Sequence, residues 1–306
     1  MLVLNFKVVN KIKFLLVVLF VVCNASFAQD LEPRAYANMP KDGNVIVASY
    51  GFMKGDIVSE PTLPIEDFIV SSNNFGVGYM HTFGVADKLA RIQVALPYVI
   101  MDGHATLNGE RITGNRTGFG DMRIRLGINL LGSPALDRKQ FSQYQQKTIF
   151  GVSFVTSVPT GNYVSDKRVN IGTNRWGFKP EVGISKRFEH VYAELYSGVW
   201  FYTKNDEFLG SKEMDQNPVF SFQGHASYYF KNQMWVGINA NWFSGGKTVV
   251  DDLPAGSVIN SSRIGATWSV PLSRSQSVKL QFNTGVFKSL GLNYDSIMLS
   301  YQYVFF

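Results

Sequence analysis

The stretch I-M-L-S-Y-Q-Y-V-F-F, residues 297–306, ends the chain and has a side-chain pattern with a period of two. One set of alternate residues is entirely apolar or aromatic: Ile297, Leu299, Tyr301, Tyr303 and Phe305. The other set is mixed and comprises Met298, Ser300, Gln302 and Val304. Successive side chains of a β-strand point to opposite faces of the sheet. The stretch therefore predicts a strand with one face against an apolar medium.

An aromatic-rich strand at the end of a chain resembles the closing strand, and the C-terminal sorting signal, of bacterial outer-membrane β-barrels. Phe305 holds the register in which that signal usually ends, and Phe306 is one residue more. The resemblance implies contact with outer-membrane lipid and lipopolysaccharide, and recognition of this strand by the barrel-assembly machinery. A half-buried strand in a soluble β-sandwich is the alternative that this stretch alone leaves open.

The start of the chain, residues 1–28, has the pattern of a secretory signal peptide. Three lysines (Lys7, Lys11 and Lys13) precede an apolar run at 14–22, which is too short to span a bilayer as a helix. The small residues Ser26 and Ala28 predict cleavage after Ala28. The only cysteine, Cys23, lies inside this segment, so a mature chain would contain no disulfide, iron–sulfur cluster or cysteine-based zinc site.

The composition points to a membrane barrel rather than to an ordinary soluble domain. Aromatic residues make up 14% of the chain and charged residues only 17%, whereas about 25% charged is typical. The rest of the chain has no run of about 18 apolar residues, so no transmembrane helix is predicted. Removing the three lysines of residues 1–28 lowers the net charge from +6 to +3, too small to indicate a nucleic-acid partner.

Alternating stretches recur along the rest of the chain, and we count about twelve of them. They lie at about 44–53, 74–83, 89–100, 121–130, 147–158, 175–187, 191–203, 218–230, 234–243, 261–270, 277–287 and 297–306. Long polar connections, such as 102–115, 204–217 and 245–257, largely alternate with short turns, although the turn at 132–146 is long. Pro97 and Pro180 fall inside predicted strands and indicate local weak points or bulges.

Aromatic residues cluster near the strand ends in two groups, as the two interfaces of a bilayer require. Seven lie toward the long connections (Tyr50, Phe52, Tyr98, Trp176, Phe201, Phe220 and Trp242) and four toward the short turns (Tyr228, Phe230, Trp268 and Phe305). The sequence thus predicts an all-β fold, a transmembrane antiparallel up-and-down β-barrel of about 12 strands over residues 29–306. The segment Asp30 to Pro40, broken by Pro33, is expected to lie in the periplasm ahead of the first strand.

The inward faces of these strands supply the candidate lumen-lining residues. They are Arg91, Gln93, Asp121, Arg123, Arg125, Lys179, Glu181, Glu194, Gln223, His225, Arg263 and Lys279. One interpretation is a mildly cationic conduit that selects solutes by charge and width. The other is that these charges pair across strands and partly fill a narrow barrel, since barrel width grows with strand number.

Several stretches along the mature chain resemble, in order and spacing, the transporter family associated with the meta-pathway of phenol degradation. They are 31–38 (L-E-P-R-A-Y-A-N), 63–67 (L-P-I-E-D), 118–123 (G-F-G-D-M-R), 159–161 (P-T-G), 170–181 (N-I-G-T-N-R-W-G-F-K-P-E), 198–203 (G-V-W-F-Y-T) and 245–250 (G-G-K-T-V-V). The resemblance implies an outer-membrane barrel that passes small, often aromatic or hydrophobic, molecules.

No motif for a cofactor, metal or catalytic site accompanies this pattern. His81, His104, His190 and His225 have no ligand-like spacing, and no serine has a G-x-S-x-G context. We therefore expect no enzyme activity, no cofactor and no bound metal. Two functions remain: a passive outer-membrane channel for small solutes, or a structural or surface-interaction barrel with a closed lumen.

Overall fold

The computed structural model describes residues 31–56, 65–107, 109–167, 169–254, 258–287 and 293–306. The predicted signal peptide and its cleavage after Ala28 lie outside the described residues. The strands are β1 (Asn44–Asp56), β2 (Ile65–Val85), β3 (Lys88–Leu107), β4 (Glu110–Phe119), β5 (Met122–Leu131), β6 (Ile149–Val158), β7 (Gly177–Phe188), β8 (Val191–Tyr202), β9 (Asn205–Phe208), β10 (Lys212–Gln216), β11 (Val219–Tyr229), β12 (Trp235–Gly245), β13 (Thr248–Val250), β14 (Leu253–Pro254), β15 (Ile259–Pro271), β16 (Gln276–Phe287) and β17 (Asn293–Phe305). A short helix, α1 (Arg138–Ser142), lies between β5 and β6.

A closed antiparallel barrel of 12 strands forms from these elements, which confirms the predicted fold. The C-terminal strand β17 closes it by pairing with β16 on one side and with β1 on the other, from Asn44↔Phe305 to Asp56↔Asn293. Each remaining strand pairs with its neighbour along the chain or across a long connection. We call the end that carries the short turns the turn end, and the end that carries the long connections the loop end.

Strands β4 and β5 act together as one interrupted strand of the barrel. Both pair with β3, β4 along its second half and β5 along its first half. The interruption lies opposite Pro97, whose carbonyl accepts a hydrogen bond from the Gly120 N–H at 2.9 Å. Because Pro97 has no backbone N–H to donate to the neighbouring strand, the regular ladder of hydrogen bonds breaks there. The weak point predicted at Pro97 is therefore present.

The outer face of the barrel is apolar, as the alternation predicted. On β17 the side chains of Ile297, Leu299, Tyr301, Tyr303 and Phe305 are 36–49% exposed, whereas Ser300 between them is 3% exposed. Of the aromatic residues predicted to form the two interfacial groups, all but Tyr98 are exposed on this surface. An apolar surface that surrounds the whole barrel is stable against hydrocarbon and unfavourable in water, because hydration of apolar area costs about 25 cal/mol per Å².

The connection predicted as a loop at 102–115 is instead a β-hairpin, so that prediction was wrong. Strand β3 continues to Leu107 and β4 begins at Glu110, with Gly109 in the left-handed region at φ 82°. The hairpin extends beyond the apolar band, where neither face must be apolar. Its strands therefore lack the alternation by which the other strands are found.

Two further long connections carry structure that the sequence did not reveal. Strands β9, β10, β13 and β14 form a separate sheet of 4 strands over the loop end, within the predicted loops 204–217 and 245–257. At the turn end, the long turn at 132–146 contains α1, which Asp137 caps by accepting a hydrogen bond from the Gln140 N–H. No helix among the described residues is both long and apolar enough to cross a membrane.

The contrast between the two faces of β17 predicts a difference in stability. Leu299 faces outward near the middle of β17, and its neighbour Met298 faces the interior. We expect Leu299→Arg to lower the free energy of unfolding by about 2–4 kcal/mol, because the charge would face hydrocarbon near the bilayer midplane. The control Met298→Arg should cost less, since its charge would enter a polar interior. Urea unfolding of protein folded into lipid vesicles measures both, and equal losses would contradict the assignment of faces.

Candidate functional site

The barrel interior contains the N-terminal segment, residues 31–40, rather than open space alone. The expectation that this segment lies in the periplasm was wrong. Arg91 on β3 donates hydrogen bonds to the carbonyl oxygens of Ala35 (2.8 Å) and Ala37 (2.9 Å). Asn129 on β5 donates to the carbonyl of Tyr36, and Gln281 on β16 donates to that of Leu31. Strands far apart around the barrel thus bind one short segment between them.

A buried ion pair anchors the middle of this segment. Glu194 on β8 accepts hydrogen bonds from the Arg34 backbone N–H at 2.8 Å and from the Arg34 guanidinium at 3.0 Å. The Arg34 guanidinium also stacks over the Tyr192 ring, 3.9 Å from its centroid. Arg34 itself has a left-handed backbone at φ 68°. Removing one partner of such a pair leaves the other charge uncompensated in a medium of low dielectric constant, which costs about 3–5 kcal/mol.

A second charge cluster lies beside the first. Arg125 on β5 pairs with Glu32 of the segment and with Glu181 on β7. The Lys179 ammonium lies 2.8 Å from the other carboxylate oxygen of Glu181. Gln223 on β11 accepts a hydrogen bond from the Glu32 backbone N–H at 3.3 Å. Four of the predicted inward charges, Arg125, Lys179, Glu181 and Glu194, therefore form ion pairs with one another or with the N-terminal segment.

Tyr36 occupies a niche made by two glycines on the inner wall. Gly151 on β6 and Gly183 on β7 are cross-strand partners. A Cβ atom added to either would lie 2.4 Å or 2.3 Å from the Tyr36 ring, far inside van der Waals contact. The Tyr36 hydroxyl forms a hydrogen bond with Ser153 at 2.9 Å. The absence of both side chains thus makes room for the ring.

The other predicted lumen residues lie elsewhere in the interior. The His225 Nδ1 forms a hydrogen bond with Asn239 Oδ1 at 2.9 Å, and Gln93 donates to the Met80 sulfur at 3.2 Å. Lys279 is half-buried on β16. Asp121 precedes β5 rather than lying in the ladder, and its carboxylate accepts hydrogen bonds from the backbone N–H groups of Gly161 and Thr173. Asp121 thereby fixes the connection between β6 and β7.

Toward the loop end the interior carries arginine–tyrosine pairs. Arg263 on β15 stacks over Tyr294 on β17 at 3.8 Å, and Arg175, just before β7, stacks over Tyr202 on β8 at 4.4 Å. Arg123 lies on β5 two residues before the buried Arg125, and therefore on the same face of the strand. Burial lowers the pKa of Arg175 below its ordinary value, but the group remains a cation near neutral pH. Arg175, Tyr202 and Tyr294 were not among the predicted lumen residues.

Sequence reasoning missed the role of the N-terminal segment because no periodicity marks it. One signal was present: Gly151 and Gly183 fall at inward positions of adjacent predicted strands, which leaves a gap on the inner wall. Its occupant, Tyr36, lies more than 110 residues away along the chain. Tyr36 and the two glycines come together only in the folded barrel. Among the described residues, no group of three or more His, Cys, Asp and Glu side chains forms a candidate metal site.

The niche gives a direct test of how the segment is held. With Ala35→Cys as a reporter, we expect Gly183→Ala to expel Tyr36 and to raise the rate of maleimide labelling at position 35. Glu194→Gln should raise it too, because it removes the charge that pairs with Arg34. Gly224→Ala is the matched control, since a Cβ there meets its nearest neighbour at an ordinary 3.6 Å. Equal labelling rates in all variants would show that these contacts do not hold the segment.

Three comparisons place the chain among known proteins. The profile of the family described as "Putative MetA-pathway of phenol degradation" matches residues 62–294. No curated protein is detectably similar in sequence. Among solved structures, the chain is similar to an outer membrane channel from Pseudomonas putida F1, with 20% identity, a TM-score of 0.76, and coverage of 90% of this chain and 100% of that one.

Two autotransporter barrels share the architecture at greater distance. The transport unit of AIDA-I from Escherichia coli has 12% identity and a TM-score of 0.53, and the match covers 91% of this chain and 94% of that one. The β domain of BrkA from Bordetella has 10% identity and a TM-score of 0.51, with coverage of 87% and 100%. Such distant likeness shows the fold alone. The profile match over most of the chain shows more: this protein belongs to the phenol-degradation MetA-pathway family.

Proposed function

We propose that this protein is a channel of the bacterial outer membrane that passes small aromatic or hydrophobic solutes passively. The observation that carries the proposal is a closed barrel with an apolar outside and a polar, charged inside, partly filled by a short segment of its own chain. The outer membrane holds barrels of this kind. In this arrangement the turn end faces the periplasm and the loop end faces the outside.

Support for the solute class comes from the family, whose description names phenol degradation. The interior adds aromatic side chains that face inward along β8, among them Trp200 and Tyr202. Aromatic side chains offer planar apolar surface to aromatic rings, together with polar edges. The lumen-lining role of the residues predicted from the sequence, except Asp121, is part of this proposal.

The N-terminal segment is the gate in this proposal. Noncovalent contacts alone hold it, and a typical hydrogen bond stabilises by only about 0.5–1.5 kcal/mol net. Loosening a few contacts, such as those of Arg91 and Glu194, would free part of the segment while the barrel ladder stays intact. Passage of a solute would therefore be coupled to local displacement of residues 31–40.

The same segment favours a second candidate, a barrel whose lumen stays shut while its loops bind a partner. The contacts of Arg34, Tyr36 and Arg125 are extensive enough to serve a permanent closure. The ordered sheet of β9, β10, β13 and β14 over the loop end offers a surface for such a partner. The two candidates differ in whether removal of the segment changes permeability to a physiological solute.

Conductance in planar bilayers and solute uptake in liposomes test the proposal. We expect the native protein to pass phenol-sized solutes, and deletion of residues 31–40 to raise the ion conductance several-fold. A tether between Asn38→Cys and Ser133→Cys, made with a short bifunctional thiol reagent, should lower solute flux reversibly. These positions suit a tether because Ser133 Oγ lies 2.6 Å from Asn38 Oδ1.

The heat-dependent gel mobility of the folded barrel controls for misfolding of each variant. Flux through the native protein that neither the deletion nor the tether alters would contradict the gate. The closed barrel would instead be supported by two results together. The native protein would pass no solute, and deletion of the β3–β4 hairpin beyond Asp102 would abolish binding of a partner.

A further inference from the structure

A groove crosses the outer surface of the barrel, over strands β6, β7, β8, β11 and β12. Its volume is about 460 Å³. Gly224 and Ala240 leave space along it, and an added Cβ atom at Gly224 would meet only Leu195, at 3.6 Å. The larger side chains that line it are apolar and include Phe150, Val182, Ile184, Leu195, Phe222 and Trp242. The outer wall of the barrel is therefore indented here.

Cross-strand partners show the course of this groove. Phe150 on β6 lies opposite Ile184 on β7, which lies opposite Leu195 on β8. Leu195 in turn lies opposite Gly224 on β11, which lies opposite Ala240 on β12. Phe150 is the second residue of β6 from the turn end, whereas Ala240 is the sixth of the 11 residues of β12. The groove therefore begins near the turn end and rises to the middle of the apolar band.

Lys186 lies beside the groove where the groove meets the turn end, on the outer face of β7. Ile184 and Phe188, two residues to either side of it, are 48% and 51% exposed, whereas Ser185 is fully buried. The Lys186 ammonium lies 4.9 Å from the centroid of the Phe188 ring and forms no ion pair with any residue in the described part of the chain. A lysine in such a position packs its aliphatic part against apolar surface and extends its charge to the level of the lipid headgroups.

The two segments that adjoin this end of the groove are rich in positive charge. Residues 132–148 precede β6, and residues 186–190 end β7 and turn into β8. Five exposed cations, Arg138, Lys139, Lys147, Lys186 and Arg187, accompany only two carboxylates, Asp137 and Glu189. None of the five cations forms an ion pair with a described residue. Lys147 is close to the end of β7, because the neighbouring Gln146 donates a hydrogen bond to Ser185 Oγ at 3.4 Å.

We propose that the groove and Lys186 bind one anionic phospholipid of the periplasmic leaflet. The phosphate lies at Lys186, with Lys147 beside it, and an acyl chain follows the groove toward Trp242. Such an amphiphile matches both parts of the site, since its phosphate neutralises the lysines and its chain covers apolar surface. The inference takes from the proposed function only that the turn end faces the periplasm, and it does not depend on passage of a solute.

Fluorescence quenching of Trp242 by brominated lipid tests this inference on the folded barrel in vesicles. In a protein that retains Trp242 as its only tryptophan, phosphatidylglycerol with a brominated acyl chain is diluted into unbrominated phosphatidylcholine. Brominated phosphatidylcholine is measured in the same way, and the two quenching curves give the relative affinity of the two lipids at the groove. We expect phosphatidylglycerol to bind about fivefold more tightly, the effect of one lysine near an anionic headgroup.

A protein that retains only Trp268 is the control for lipid elsewhere on the barrel. Trp268 faces outward on β15 but lies outside the groove. The relative affinity that it reports should be close to one. The heat-dependent gel mobility of each protein controls for misfolding.

Two pairs of variants separate the headgroup contact from the groove. Lys186→Gln should remove most of the preference for phosphatidylglycerol, whereas Arg274→Gln, which removes a positive charge from the exposed turn between β15 and β16, should leave it unchanged. Ala240→Leu fills the groove and should also remove the preference. Ala266→Leu makes the same change on the neighbouring β15, at an exposed outward position outside the groove, and should have no effect.

Several results would overturn the site. They are equal relative affinities at Trp242 and Trp268, a loss in Lys186→Gln no larger than in Arg274→Gln, or a preference that Ala240→Leu leaves unchanged. If these lysines serve an acidic periplasmic protein instead, or if a second barrel covers the groove, Trp242 would show no preference between the lipids.

A second measurement keeps the test available if the tryptophan replacements prevent folding. In native mass spectrometry, the natural protein should retain one phosphatidylglycerol that Lys186→Gln loses and Arg274→Gln keeps. Retention by all three, or by none, would contradict the site. Solute flux is measured separately, so failure of the lipid site would leave the proposed channel standing, and absence of flux would leave the lipid site standing.

Discussion

The requirement that every backbone N–H and C=O group find a partner away from water governs this structure. In hydrocarbon an unpaired group costs several kcal/mol, so a sheet in a bilayer must close on itself. Here the closure joins the first strand to the last over their full lengths. An interruption of the ladder at Pro97 and Gly120 occurs where proline cannot donate. The apolar outer face and the aromatic residues at its two borders follow from the same surroundings.

Closure creates an interior, and the interior sets the second constraint. Inward charges cannot be solvated as they would be in bulk water, so they must pair or retain water. The chain meets this demand with its own N-terminal segment, which brings Glu32 and Arg34 to the charges on β5, β7 and β8. Beyond the segment, toward the loop end, Arg175 stacks on Tyr202 and Arg263 stacks on Tyr294.

The fold was predictable because the bilayer imposes a pattern of period two on each spanning strand. Strand β5 shows this most clearly, since Leu126 is exposed on the outside while Arg125 is buried within. Where the environment imposes no such pattern, prediction failed. The β3–β4 hairpin and the sheet over the loop end lie beyond the apolar band, and the N-terminal segment has neither periodicity nor ladder partners. The sequence predicted that Arg125 and Glu194 face inward. It did not predict their partners, Glu32 and Arg34, because contacts between residues far apart in the chain leave no local pattern.

Along each spanning strand, one set of side chains contacts lipid and the alternate set faces an enclosed interior. The five tryptophans allow a direct measurement, because Trp176, Trp242 and Trp268 face outward whereas Trp200 and Trp235 face inward. In vesicles of brominated lipid, proteins that retain a single tryptophan should show strong fluorescence quenching at positions 242 and 268, and little at 200 and 235. Equal quenching at inward and outward positions, or none at any, would contradict the account.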